Sequence, residues 1–372
     1  MSNIITDLAL LQQKARERTV KTQNIEYDLE TLVKKINKGV IKLDPDYQRR
    51  HRWTNETSSR LIESLILNIP IPLIYLSQDI DVDEEDSESA RYSVIDGQQR
   101  LTAITRFMSN EYALKDLQAL PELEGARYKT LPPFLTRRLE ERTIKCLRID
   151  STLDSQVKYD IFERLNSGSV KLEPQELRNA INGGPFNDLL KKLSTDSAFR
   201  TLLHINQDNP ENNGRVKKME DVEIVLRFFA LNGDNYKNFK GGFKSFLDSE
   251  MERFSALGVD KLPALEQLFL TTMRFILQNF GDSAFAKYKP EGSVLIEVSK
   301  FNVAVYDALS TAVSAELSAE AKSLEPEVSR EAKERYLKLF SDADFFSYID
   351  GGTTDKNKVI GRIDAARRAF SR

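Results

Sequence analysis

Asp96-Gly97-Gln98-Gln99-Arg100 gathers a carboxylate, a glycine, two amides and a guanidinium into five consecutive residues. The alternating run Tyr92-Ser93-Val94-Ile95 before it reads as a strand. Leu101, Ile104 and Phe107 after it mark one face of a helix. Such a junction leaves the first N–H groups of the helix without partners, and those donors, with the helix dipole, favour a phosphate. Gly97 lets an anion approach the backbone. Arg100 falls in the first helical turn.

Two further polar clusters sit where one element gives way to the next, the places from which side chains converge on a cleft. Asp46-Tyr47-Gln48-Arg49-Arg50 follows a short apolar run, and Glu163-Arg164-Leu165-Asn166-Ser167-Gly168 closes a helical pattern, with Glu176 and Arg178 just beyond. Tyr47 and Trp53 are by type packing residues before they are base-stacking platforms. Glu176 and Arg178 read equally as structural ion pairs or as support for the site.

Several chemistries are excluded. The two histidines, His51 and His204, lie far apart, so neither an HNH nuclease nor a zincin can be assembled. There is no Walker A lysine loop, dinucleotide glycine fingerprint or nucleophile-elbow serine. The single cysteine, Cys146, allows no internal disulfide and no thiolate metal site, reads as a small buried hydrophobe, and fits a reducing cytoplasm. A net charge of -3 over 372 residues argues against a surface coated for bulk nucleic-acid or membrane binding. No apolar run is long enough for a membrane helix, and the N-terminus lacks a signal-peptide core.

The elements that must position these clusters follow from periodicity. Residues 1–24 are polar and read as an arm. Asp28 caps a helix bearing Leu29, Leu32, Val33 and Ile36, ended by Gly39. Val40 to Leu43 reads as a strand, a second helix starts near Thr54 with Leu61, Ile62, Leu65 and Ile66 inward, and Pro70 and Pro72 stop it. Strands follow at Leu73 to Ser77, Tyr92 to Ile95 and Ile144 to Ile149. Between the first two lies Asp79 to Glu88, with seven acidic residues, a solvated loop by composition. Asp154 caps a further helix, Pro174 opens another, and Gly183-Gly184 ends it. Beyond, helical periodicity runs almost throughout, as in Val222, Val225, Leu226 and Phe229, with no convincing strands. The expected organisation is an arm (1–24), an α+β domain with a small mixed sheet (25–184) and an all-α domain (185–372).

Taken in order, Pro45-Asp46-Tyr47-Gln48-Arg49, Ile69-Pro70-Ile71-Pro72, Asp96 to Arg100, Phe162 to Gly168 and Leu172 to Ala180 resemble the DGQQR-motif family. This is the N-terminal domain of GmrSD-type modification-dependent restriction enzymes and related phage-defence proteins. The resemblance covers roughly residues 25 to 185. A more distant likeness is to the ParB/sulfiredoxin fold, through the outline of Gly97 to Ala103. Sulfiredoxin chemistry needs a cysteine beside its phosphate turn, where this chain has glutamines.

The resemblance implies a nucleoside-triphosphate site with Mg²⁺ and hydrolysis, in a cytoplasmic defence protein. Asp96, Gln98, Gln99 and Arg100 are then the catalytic candidates. Arg100 suits charge developing on phosphoryl oxygens, Asp96 suits Mg²⁺, and either glutamine can orient the attacking water. Arg49 can clamp the phosphates from the other side. Tyr47, Gln48, Gly97, Thr102, Arg164 and Asn166 complete the binding set, with Glu163 as a second metal ligand and Glu176 and Arg178 in support. Larger relatives carry an HNH nuclease that this sequence lacks, so cutting would fall to a partner. The expected partners are a nucleoside triphosphate, DNA (plain or modified) and a nuclease or other defence protein. Two alternatives stand beside this: a ParB-like nucleotide-gated DNA-binding protein, and a non-catalytic adaptor with a vestigial pocket.

Overall fold

The computed structural model describes residues 21–43, 53–78, 92–149, 173–238, 242–292, 294–319 and 330–370. The chain divides into two compact units, Met1–Leu172 and Glu173–Arg372. Each has its own apolar core.

The first unit is mixed α and β. Its elements are β1 (Thr22–Asp28), α1 (Leu29–Asn37), β2 (Ile41–Lys42), α2 (Asn55–Ile66), β3 (Ile74–Gln78), β4 (Tyr92–Asp96), α3 (Gln98–Met108), α4 (Pro133–Glu140) and β5 (Thr143–Ile149). The strands form one five-stranded sheet in the order β1-β5-β3-β4-β2. β1 runs antiparallel to β5 and β3 antiparallel to β4, while β5/β3 and β4/β2 are parallel. The expected α+β class with a small mixed sheet is thus found. β1 begins inside the stretch expected as an arm. Its only half-buried residues are Ile25 and Tyr27, so the strand owes its place to pairing with β5 rather than to an apolar pattern of its own.

The helices obey the expected local chemistry. Asp28 caps α1, its Oδ1 accepting from the Thr31 N–H at 2.7 Å, and Thr54 caps α2 through Thr57. Leu61, Ile62, Leu65 and Ile66 are buried, as their spacing requires. Glu63, on the same buried side, turns its carboxylate to the backbone N–H groups of Ala119 and Leu120 at 2.7 and 2.8 Å, fastening the long connection after α3.

The second unit comprises α5 (Pro174–Ile181), α6 (Pro185–Leu193), α7 (Ser197–Leu202), α8 (Gly214–Lys217), α9 (Glu220–Leu231), α10 (Phe243–Ser255), α11 (Leu262–Phe280), the strands β6 (Lys287–Glu291) and β7 (Val294–Ser299), then α12 (Val303–Ala319), α13 (Arg330–Lys338), α14 (Ala343–Ile349) and α15 (Lys356–Phe370). Its core is rich in aromatic pairs, among them Phe186 stacked on Phe254 with centroids 4.9 Å apart and Phe228 edge-on to Phe269 at 5.2 Å. The expectation of an all-α region needs correction: β6 and β7 form an antiparallel hairpin. Its strands are short and lie between two long helices. The alternation of Val294, Ile296 and Val298 points outward, so it leaves no mark in the buried pattern.

Candidate functional site

β4 and α3 meet as the sequence requires. Asp96 ends the strand, Gly97 takes the left-handed conformation (φ 104°), and α3 starts at Gln98. A side chain at Gly97 is barred twice, by that φ and by Ile74, whose Cδ1 occupies the space a Cβ would fill. No side chain caps the helix start. Asp96 instead accepts from the Gly97 N–H through Oδ1 (2.7 Å) and from Arg100 Nη2 through Oδ2 (3.0 Å). It remains about 44% exposed.

Arg100 is buried and committed to protein groups. Besides Asp96 it donates to the carbonyl oxygens of Pro72, through Nη1, and Leu73, through Nη2 at 3.2 Å. Burial pulls its pKa down, with Asp96 opposing. The guanidinium thus ties the entrance of β3 to the end of β4. Cys146, on the interior strand β5, is buried, and its thiol is pushed up to about 12 by desolvation, so it stays neutral and inert.

Polar atoms without partners lie on the adjacent face of α3. Gln99 is 8% exposed and neither its Nε2 nor its Oε1 meets a hydrogen-bonding group among the described residues. Thr102 Oγ1, at 1% exposure, and Thr105 Oγ1 are likewise unpaired. The three residues are spaced by three, so they share one face of the helix. Buried amides and hydroxyls left this way cost roughly 1–3 kcal/mol each. Thr105 was missing from the sequence reading. Its signal was there, as the third member of a polar row spaced by three along the helix.

The structure therefore brings Asp96, Gly97, Gln98, Gln99, Arg100 and Thr102 together in one turn and a half. Tyr47, Gln48, Arg49, Glu163, Arg164 and Asn166 lie outside the described residues, as do the acidic run and His51. Trp53 packs against the first core. Glu176 and Arg178 make their bonds within the second unit. Glu176 accepts from the Glu173 N–H at 2.7 Å in a capping box. Arg178, 1% exposed, donates to Asp248 at 2.8 Å and to Glu223 at 2.7 Å. Burial raises the pKa of Asp248, against the pull of Arg178. Arg178 is thus held in ion pairs within the second unit.

For a metal, the described residues hold no group of three His, Cys, Asp or Glu side chains. Mg²⁺ asks for less, since one or two carboxylates suffice when phosphate and water supply the other oxygens. Asp96 fits that demand, with lone pairs left beyond its two accepted hydrogen bonds. No helix among the described residues is long and apolar enough to cross a membrane.

Residues 29–182 match the family described as GmrSD restriction endonuclease, N-terminal domain. No curated protein and no solved structure gives a significant match.

Proposed function

We propose, from the premise that residues 29–182 are a GmrSD restriction endonuclease N-terminal domain, that this chain is the nucleotide-responsive component of a restriction-type defence system. A nucleoside triphosphate with Mg²⁺ docks at the start of α3. The N–H groups of Gln98 and Gln99 face its phosphates, and Gly97 gives them room. Asp96 is the residue that would hold the metal, which lends charge neutralisation to the phosphate oxygens. The observation that carries this reading is the Gln99 amide, buried at an uncapped helix start with both polar atoms unspent. A ligand that pairs with it recovers the desolvation cost that the free protein bears. The strand, glycine turn and helix in a small mixed sheet also support a ParB-like reading of this unit.

Arg100 takes a positioning task in this scheme. It holds Asp96 and the Pro72–Leu73 carbonyls in register, so the turn is preformed. That commitment favours a second reading of the same site, binding without hydrolysis, because a guanidinium already spent cannot follow charge that builds on a phosphoryl group. In that case the nucleotide sets the state of an adaptor, and a partner supplies nuclease action on DNA.

Thermal melts with each of the four nucleoside triphosphates plus Mg²⁺ test the binding, since a ligand of the native state alone raises the midpoint. At least one is expected to do so in the wild type and none in Gln99→Met. Absence of any shift with all four defeats the proposal. Phosphate release measured on the same samples separates turnover from binding alone.

A further inference from the structure

The hairpin of the second unit treats its two edges differently. β6 carries Lys289 and Pro290, a charge and a missing N–H that discourage another strand from adding there. β7 reads Val294-Leu295-Ile296-Glu297-Val298-Ser299, with neither proline nor a basic residue. Among the described residues no strand pairs with its far side. Val294, Ile296 and Val298 are 62%, 45% and 57% exposed on one face, while Leu295 packs half-buried against the core.

Register fixes which backbone groups meet the open edge. Pro290 stands opposite Leu295. Without an N–H, Pro290 cannot belong to a pair that exchanges two hydrogen bonds. Leu295 therefore turns its N–H and C=O away from β6, and by alternation Glu297 does the same. The free edge presents two donors and two acceptors beneath an aliphatic stripe.

We propose that β7 pairs antiparallel with β7 of a second copy of this chain, about a two-fold axis at Ile296. The order Val-x-Ile-x-Val reads alike in both directions, so an isologous contact matches it to itself. Ile296 meets Ile296, each Val294 meets Val298 of the other copy, and Leu295 and Glu297 exchange hydrogen bonds across the axis. The neighbouring registers are worse. An axis at Glu297 sets two carboxylates opposite one another, and an axis at Leu295 leaves Val298 without an apolar partner. Six residues from each copy bury far less than the roughly 1,000 Å² of a lasting interface, so the dimer is reversible and forms as concentration rises.

Sedimentation velocity of the full chain, from low micromolar to near-millimolar protein, is expected to pass from monomer to dimer. Ile296→Lys moves the midpoint up by about tenfold or more, through charge placed on the axis. Glu297→Pro, which removes only an outward N–H, moves it in the same direction. Ile296→Cys cross-links two copies on mild oxidation, because facing residues of a non-hydrogen-bonded pair stand about 4.5 Å apart at Cα, within disulfide reach. Cys146 is buried and does not compete. Three results overturn the proposal: a wild type that stays monomeric throughout, a dimer indifferent to both Ile296→Lys and Glu297→Pro, or cross-linking by Glu297→Cys as fast as by Ile296→Cys.

Discussion

The two units bury polar side chains in opposite ways. In the second, charges close on one another: Arg227 gives Nε and Nη2 to Asp307 at 3.0 and 2.5 Å, and Arg362 gives Nη2 to the same carboxylate at 2.6 Å. Arg178 is held in like manner between Asp248 and Glu223. In the first unit, Gln99 and Thr102 are also buried and find nothing among the described residues. Unpaired buried atoms occur in the second unit too: the hydroxyls of Ser255, Ser310, Thr311 and Tyr336, Asn187 Oδ1, His204 Nε2 and Arg362 Nε. Asn187 too stands in the first turn of a helix without a side-chain cap, but only its Oδ1 is an orphan, whereas both polar atoms of the Gln99 amide are. A buried polar group with partners is one the fold keeps for itself, and a whole amide left without partners at a helix start can be taken up by something else.

The sharpest way to break this contrast is Asp307→Asn. Removing the carboxylate leaves Arg227 and Arg362 buried without a counter-charge, and denaturant unfolding is expected to register a loss of about 3–5 kcal/mol. A change near zero would mean that the arginines are solvated and the network is no true interior. Next in size is Gly97→Ala in the first unit. The left-handed φ and the overlap with Ile74 together cost about 2 kcal/mol by the same measurement.

Gln99→Met carries the opposite sign. Replacing an unsatisfied amide by an apolar chain of similar volume should stabilise the free protein by about 1 kcal/mol, while the melting shift given by nucleotide disappears. A destabilised variant would show that Gln99 has a partner after all. The smallest effect belongs to Asp28→Ala, a paired polar group in the first unit, which removes the exposed cap of α1 for about 0.5 kcal/mol. The Thr31 N–H holds the Asp28 carboxyl below its ordinary 3.8. Its folded pKa lies below the unfolded one, so the contribution is complete above about 3.8 and fades as pH falls through the lower folded value. The gap between wild type and Asp28→Ala should therefore close in acid.

Much of the first unit was legible because its signals are local. Thr54 as a cap, the inward set of α2 and the strand, glycine and helix at residues 92–108 follow from periodicity and backbone sterics alone. What escaped depends on partners distant in the chain. β1 has little apolar pattern and exists by pairing with β5. The fate of Arg100 was open until the Pro72 and Leu73 carbonyls arrived beside it. Type and position suggested a phosphate ligand, but the packing of a proline-rich turn decided where the guanidinium went. Glu63 is a similar case. A glutamate on the inward side of α2 reads as an anomaly until three peptide N–H groups of a later segment, Gln118 to Leu120, close around it.

Arg178 sets a rule for anyone who transplants this domain. The matched segment ends at residue 182, yet α5 has its acids, Asp248 and Glu223, some forty to seventy positions further along. A graft cut at the family limit carries away a helix whose cation has left both anions behind. The excised piece would expose that bare guanidinium to water, and the donor remnant would keep two orphaned carboxylates. Scissors placed ahead of Glu173 leave both inheritances whole.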